Sequence, residues 1–369
     1  MAGSGKNGEE RLSQLREEID RIDGELLQLI SARARCAQEV AEVKTAAGDG
    51  SDPVFYRPER EAQVLRRIKA ENPGPLPSEE MARLFREVMS ACLALEKPMR
   101  VAFLGPVGTF TQAAALKHFG HFVNSAPMAA IDEVFREVES RQAHYGVVPV
   151  ENSTEGMINH TLDMFMTSPL KICGEVQLRI HHHLLTAPDR EEGTIARIYS
   201  HQQSFAQCRK WLDSHWHGVE RVTVSSNAEA ARRAREEPGT AAIAGDMAAE
   251  LYGLTKLAAT IEDRPDNTTR FLIVGREDVA PSGKDKTSIL VSMRNKPGAL
   301  YQLLEPFHSH AISLTRIETR PSPTGTWAYV FYIDFEGHVE DETVKSALAQ
   351  VEAEAVEVRH LGSYPLGVL

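Results

Sequence analysis

The sequence predicts a multidomain chain with three fold classes in series: an all-α segment, an α/β segment and a small terminal βαββαβ unit of the ferredoxin-like kind. A heptad seam of apolar residues opens the chain. Short apolar runs then alternate with polar turns and helical patterns, and two strand–helix–strand units close it. A length of 369 residues suits this division, since one hydrophobic core rarely serves so long a chain.

The helical segment covers residues 10–97. Leu15, Ile19, Ile22, Leu26, Leu29, Cys36, Val40 and Val43 recur in steps of three and four, interrupted only by Arg33. That seam runs for roughly 35 residues, or about 50 Å of helix. The turn-forming residues 48–53 end it. A second helix at 59–70 stops at Asn72-Pro73-Gly74-Pro75. Ser78 then caps a third at 79–96, with Leu84, Phe85, Val88, Cys92 and Leu95 on its apolar side. One long helix cannot bury its stripe against two short partners, so a helical dimer is expected. Arg33 takes a core position of the seam, where an unpaired guanidinium is costly. Arg16 and Lys44 each follow a seam residue and flank the same stripe, with Arg60 and Glu61 available from the next helix. Either these cations point into the bundle or they snorkel past it as solvated charges.

The α/β segment covers 98–278. Apolar runs at 100–104, 145–150, 195–199, 240–244 and 271–275 read as strands. Three of them lead into polar turns ahead of helices: Gly105 to Thr111, Glu151 to Gly156, and Ser200 to Gln203. Strand ends and helix N-termini offer backbone N–H groups to anions. None of the turns fits a dinucleotide or phosphate-loop pattern, which points to a carboxylate site with a locally basic lining. His181, His182 and His183 alternate across a strand and cannot easily share one ion, so lining or structural roles are expected and no metal.

After a linker at 279–286, the terminal unit covers 286–367. Its strands are expected at 288–294, 313–319, 326–335 and 356–361, with helices from Pro297 and at 340–354. Gly298 at a helix start allows a ligand close to backbone N–H groups, or simply makes a tight turn. Trp327, Tyr329, Phe331, Ile333 and Phe335 share one strand face, which packing explains.

A net charge of −11 and the lack of any Lys/Arg block argue against nucleic-acid binding. The opening residues are Gly-rich and charged, without the apolar core of a secretory signal. No apolar run approaches the ~20 residues that cross a bilayer. Cys36, Cys92, Cys173 and Cys208 form no CxxC pair and read as reduced thiols, so a cytoplasmic protein is expected.

The run Leu15-Arg16-Glu17-Glu18-Ile19-Asp20, followed by Arg33, Lys44, Arg60-Glu61 and Glu96, resembles the all-helical chorismate mutases. The resemblance implies an intertwined dimer whose buried site takes cations from both chains. Arg16 of a partner, Arg33 and Arg60 would hold the carboxylates of chorismate, Lys44 would donate to its ether oxygen, and Glu61 would contact the ring hydroxyl. Arg57 stands where Asp is common, and Glu96 where Gln is common, so Glu96 must be protonated to donate. The rearrangement is pericyclic and needs a held conformer and donors at the ether oxygen, not a nucleophile or metal.

The runs Phe103-Leu104-Gly105-Pro106, Pro149-Val150-Glu151-Asn152-Ser153, Ser200-His201 and Asn267-Thr268-Thr269-Arg270-Phe271 resemble prephenate dehydratase. That implies two α/β lobes like those of periplasmic binding proteins, with the site in the cleft. Thr269 would act near the departing hydroxyl, and Thr109, Asn152, Ser153, Ser200, Gln207 and Arg270 would bind prephenate. By local pattern alone, Thr269 is a loop residue ahead of a strand. Gln202 stands where Pro is common, a change that bears on loop stiffness.

Asn295-Lys296-Pro297-Gly298-Ala299-Leu300 and Ile317-Glu318-Thr319-Arg320-Pro321 resemble the signatures of ACT regulatory domains. Asn295, Gly298, Ala299, Leu300, Glu318 and Thr319 would then bind phenylalanine between two such domains. Together the resemblances span nearly the whole chain. They imply a fused, cofactor-free, dimeric enzyme that takes chorismate through prephenate to phenylpyruvate and is inhibited by phenylalanine. Two alternatives remain open: a dehydratase with a merely dimerising helical domain, and a non-catalytic amino-acid sensor.

Overall fold

The computed structural model describes residues 3–47, 55–188, 193, 195–294, 296–321 and 329–369. Asn295, the turn at 48–53 and the start of the strand expected at 326–335 lie outside these. Helix α1 (Gly3–Ala47) begins well before residue 10 and is followed by α2 (Pro58–Glu71) and α3 (Ser78–Glu96). Among the described residues the α1 seam joins no core: Ile19 is 56% exposed and Leu29 67%. On α3, Leu84, Phe85 and Leu95 are likewise exposed, whereas Cys92 of the expected stripe is buried, with Ala82, Arg86 and Ser90. The α3 cap position falls on Pro77, so Ser78 is the first helical residue rather than the cap.

The α/β segment forms two lobes. The first runs through β1 (Arg100–Leu104), α4 (Phe110–Phe119), β2 (Asn124–Met128), α5 (Ile131–Glu139), β3 (Tyr145–Asn152), β4 (Gly156–Met157), α6 (Asn159–Phe165) and β5 (Lys171–Arg179). The chain then crosses to β6 (His183–Thr186), β7 (Arg197–Ser200), α7 (Gln202–Gln207), α8 (Arg209–His215), β8 (Glu220–Thr223), α9 (Asn227–Glu236), β9 (Thr240–Ala244), α10 (Asp246–Tyr252) and β10 (Thr255–Ala258). It returns through β11 (Thr268–Gly275), which completes the first sheet in the order β2-β1-β3-β11-β5, with β4 paired to β3. The second sheet has the order β10-β6-β9-β7-β8. The chain passes between the lobes twice, at 180–182 and 259–267, and a cleft lies between the two lobes.

The terminal unit is β12 (Asp285–Met293), α11 (Ala299–Ser309), β13 (Leu314–Pro321), β14 (Tyr329–Glu336), α12 (Glu342–Glu354) and β15 (Glu357–Pro365). Its antiparallel sheet has the order β13-β14-β12-β15, as the ferredoxin-like pattern requires. Alternate residues divide its two faces. Ile289, Val291, Ile333 and Phe335 pack under α11 and α12. Leu290, Val330, Tyr332, Leu361 and Tyr364 instead share a core with Val148, Leu272 and Ile172 of the first lobe. The approach is close enough that a Cβ on Gly362 would overlap the Ile172 backbone. Terminal sheet and first lobe are therefore packed as one body.

Candidate active sites and regulatory edge

The interlobe cleft has a volume of about 420 Å³. Its walls come from both lobes: Thr109, Phe110, Asn152 and Thr269 from one, and Gln207, Ser226 and Asn227 from the other. Thr269 lies within β11, one strand from Asn152, to which it is directly paired. The Asn152 Oδ1 accepts from the backbone N–H groups of Thr154 and Glu155 at 3.0 and 3.1 Å. That fixes the amide orientation. The Nδ2 then donates to Thr269 Oγ1 at 2.8 Å and to Asn267 Oδ1 at 3.0 Å. With its oxygen already accepting, the Thr269 hydroxyl is left to donate its own proton into the cleft.

Gln207 braces this group from the second lobe. Its Nε2 donates to Thr154 Oγ1 at 3.0 Å, and its Oε1 accepts from Asn267 Nδ2 at 3.1 Å. The same oxygen lies 2.8 Å from His182 Nε2. Burial holds the His182 imidazole below its ordinary pKa, opposed by its bond to Gln207 and by Glu262. A neutral ring with its one proton on Nε2 satisfies this contact, so His182 lines the cleft as a neutral ring that holds Gln207 rather than as a cation.

Among the described residues lining the cleft, none is Lys or Arg, contrary to the basic lining expected. Two helix N-termini supply the positive potential instead. Thr109 caps α4 by accepting from Gln112 N–H, and Ser226 caps α9 by accepting from Glu229 N–H. The first residues of both helices face the cleft, one from each lobe. Such a site suits a carboxylate held by neutral donors.

In the helical segment, Lys44 and Arg33 lie near enough to Glu96 to act on its carboxyl. Burial lifts Glu96 above the ordinary carboxylate range, although both cations pull it down. Lys44 Nζ also sits 5.4 Å from the centre of the Phe55 ring. Arg16 stands 28 residues before Lys44 on the same helix, about 42 Å away at 1.5 Å per residue. Arg57 and Arg60, at the start of α2, are exposed, Arg57 being paired with Glu59 at 3.5 Å.

At the terminal unit, Gly298 adopts φ +80° at the cap of α11, a conformation that favours glycine. Phe331 pairs with Val291 on one side and with Thr319 on the other, so Thr319 lies near the end of the sheet from which α11 departs. Leu300 and Tyr301 on α11 and Ile317 on the edge strand β13 are exposed.

Models of known families match the chain in the same order. Chorismate mutase type II matches residues 15–97, prephenate dehydratase 101–279 and the ACT domain 287–353. The bifunctional chorismate mutase/prephenate dehydratase of Pseudomonas aeruginosa is 64% identical over 98% of this chain and 99% of its own. This chain belongs to that family. The Escherichia coli member is 31% identical over 97% of each chain. Among solved structures, prephenate dehydratase from Arthrobacter aurescens in complex with L-Phe is 36% identical, with a TM-score of 0.68 over 73% of this chain and 90% of its own.

Within the dehydratase cleft the structure thus gathers Thr109, Asn152, Gln207 and Thr269. It does not bring Ser153, Ser200 or Arg270 there. Ser200 is fully buried and donates to Asn227 Oδ1 at 3.2 Å, so it shapes the wall from behind. The Ser153 oxygen accepts from Thr268 N–H at 2.9 Å on the opposite side of the sheet. Strand alternation turns Arg270 to that side too. In the mutase segment Glu61 is also displaced from its expected place. It pairs at 3.1 Å with Arg86, which donates to the Lys117 carbonyl of α4, so Glu61 joins the helical segment to the first lobe. Burial raises its carboxyl pKa, opposed by Arg86. In the regulatory motif, Glu318 pairs with Tyr332 and so shares the face turned toward the dehydratase, whereas Thr319 takes the other. Gln203, Ser204, Ser226 and Asn227 line the cleft without having been expected. The polar run Ser225-Ser226-Asn227 before a helical pattern is the signal that marks the last two of them.

Proposed function

We propose that this member of the family binds prephenate in the interlobe cleft, with Thr269 as the donor to the departing hydroxyl. The Asn152–Thr269 hydrogen bond carries this assignment, because it aims the threonine proton at the ligand. As the carboxylate leaves as CO₂, its bonding pair passes through the ring, which becomes aromatic, and the C–O bond breaks. The leaving oxygen takes a proton and departs as water. The α4 and α9 N-termini hold the remaining carboxylate.

Chorismate is assigned to a site built by two copies of the helical segment. One copy cannot bring Arg16 and Lys44 to a single small ligand, and the exposed α1 seam offers the surface for a second. Arg33 and the partner's Arg16 hold carboxylates, with Arg57 and Arg60 at the rim, while Lys44 and protonated Glu96 donate to the ether oxygen. Phenylalanine is assigned to the edge formed by Gly298, Ala299, Leu300 and Thr319, completed by a second terminal unit. The enzyme is placed in the cytoplasm; among the described residues no helix is long and apolar enough to cross a membrane.

Incubation with chorismate, following prephenate and phenylpyruvate separately, tests the whole assignment. Phenylpyruvate is expected to accumulate and to fall when phenylalanine is added. Prephenate accumulating unchanged would remove the dehydratase site, and chorismate persisting would remove the mutase site. The elevated Glu96 carboxyl adds a pH dependence. Mutase turnover is expected to be highest below its pKa and to fall as rising pH ionises it. Glu96→Gln donates at every pH, so the variant's profile should lose that decline; a decline that survives the substitution refutes the role.

A further inference from the structure

Strand β11 has two faces. Thr269 looks into the cleft, and Arg270 looks the other way, into a buried cluster shared with the terminal sheet. Arg270 Nε donates to Glu175 at 2.7 Å, one Nη pairs with Asp334 at 2.7 Å, and the other donates to Tyr364 Oη at 3.1 Å. Lys286 meets the second oxygen of Glu175 at 2.7 Å, and Ser288 donates to Asp334 at 2.6 Å. Arg316 on β13 pairs with Glu151, the residue before Asn152. Three cations thus face three carboxylates across the join. At this point the sheets are separated by a cavity of about 330 Å³ lined by Glu151, Arg270, Lys286, Arg316 and Asp334. Charged side chains, rather than packed apolar ones, bridge the sheets there.

The terminal sheet therefore grips the immediate neighbours of both members of the Asn152–Thr269 pair. The strand that supplies Arg316 is also two-faced. Arg316, Glu318 and Arg320 alternate with Ile317 and Thr319, and Arg320 holds Asp163 of α6 through both carboxylate oxygens at 2.7 and 3.0 Å. One side of β13 is pinned to the dehydratase, and the other is the proposed effector edge.

We propose that Arg270 is a positioning residue of the dehydratase rather than a substrate ligand, and that the Arg270–Asp334 and Arg316–Glu151 pairs couple the terminal sheet to the Asn152–Thr269 hydrogen bond. The coupling rests on the assignment of phenylalanine as effector made above. A shift of β13 when ligand binds its outer side moves Arg316 and Asp334 relative to the first lobe. Because the buried Arg270–Asp334 pair is costly to leave half-made, the displacement is passed to Arg270, and the direct Arg316–Glu151 pair passes it to Glu151. The registers of β3 and β11 carry it one residue further, to the reacting pair. This is a contiguous element that both sites bias, as energetic coupling needs.

Two substitutions test this. Arg270→Lys keeps a cation but loses the planar fork that joins Glu175, Asp334 and Tyr364. It is expected to lower dehydratase kcat about tenfold with KM changed less than about twofold. A KM rise with kcat preserved would mean that Arg270 holds substrate, and would overturn the positioning role. Arg316→Gln removes the partly exposed pair, and is the readable variant should Arg270→Lys fail to fold by thermal melting. At saturating phenylalanine its residual dehydratase rate is expected to exceed that of the unsubstituted chain by about fivefold or more. Inhibition as complete as in the unsubstituted chain, with phenylalanine binding confirmed by direct titration, sinks the coupling alone. If the unsubstituted chain neither binds phenylalanine nor is inhibited by it, the effector assignment fails and the coupling with it.

Discussion

Thr269→Ala is expected to lower dehydratase kcat/KM by about 10²- to 10³-fold, the loss seen when one donor aimed at developing charge is removed. The mutase rate of the same protein should be unchanged within about twofold, since the substitution lies in a separate domain. Production of phenylpyruvate from added prephenate reads the first, and loss of chorismate reads the second. The size of the effect follows from the hydrogen-bond arrangement rather than from the acidity of threonine, which is poor. Asn152 occupies the Thr269 oxygen from one side, so the hydroxyl proton has one useful direction. Asn152→Asp provides the sharper control. A carboxylate there accepts the threonine proton and turns it away from the cleft, beside a substrate that is itself anionic. It should be at least as damaging as Thr269→Ala, whereas Thr269→Ser, which keeps the hydroxyl, should retain most of the rate. A Thr269→Ala protein with ordinary dehydratase turnover refutes the assignment.

The order and class of the three segments were legible because their periodicities differ: steps of three and four in the helices, alternation in the strands, and βαββαβ at the end. The β1 and β9 strands fall where their apolar runs lie. What local pattern lost was parity. The apolar run at 271–275 hides the first three residues of β11, which are polar because they face a cleft and an ion cluster instead of a core. Extending the strand back to Thr268 places Thr269 with Phe271 and sends Arg270 to the opposite face. The same applies to Glu61. Pro58, Ala62 and Leu65 are the buried face of α2, and helical spacing puts Glu61 beside them. A carboxylate on a buried face needs a cation, and Arg86 on the next helix supplies it. The cleft's electrostatics were hidden for another reason. Potential made by helix N-termini is written in capping residues such as Thr109 and Ser226, not in a count of lysines and arginines.

Lys44→Ala should lower mutase kcat/KM by about 10²- to 10³-fold, because it removes a cationic donor where negative charge grows on the ether oxygen. Dehydratase turnover of added prephenate should persist, while phenylpyruvate formation from chorismate fails for lack of prephenate. The same substitution decides whether the site is shared. Arg16→Ala is expected to be similarly defective, since Arg16 and Lys44 on one helix are too far apart to serve the same ligand. When the two variants are unfolded together, mixed and refolded, random pairing makes half of the dimers mixed. In a two-fold symmetric arrangement each mixed dimer has one site with both native residues and one with neither. Mutase activity should then recover to about one quarter of the unsubstituted level, far above either variant alone. If both residues served one copy's site, no pairing could unite them and the mixture would stay inactive. Recovery would establish that two copies build the site and that the partner's Arg16 serves it, in one measurement.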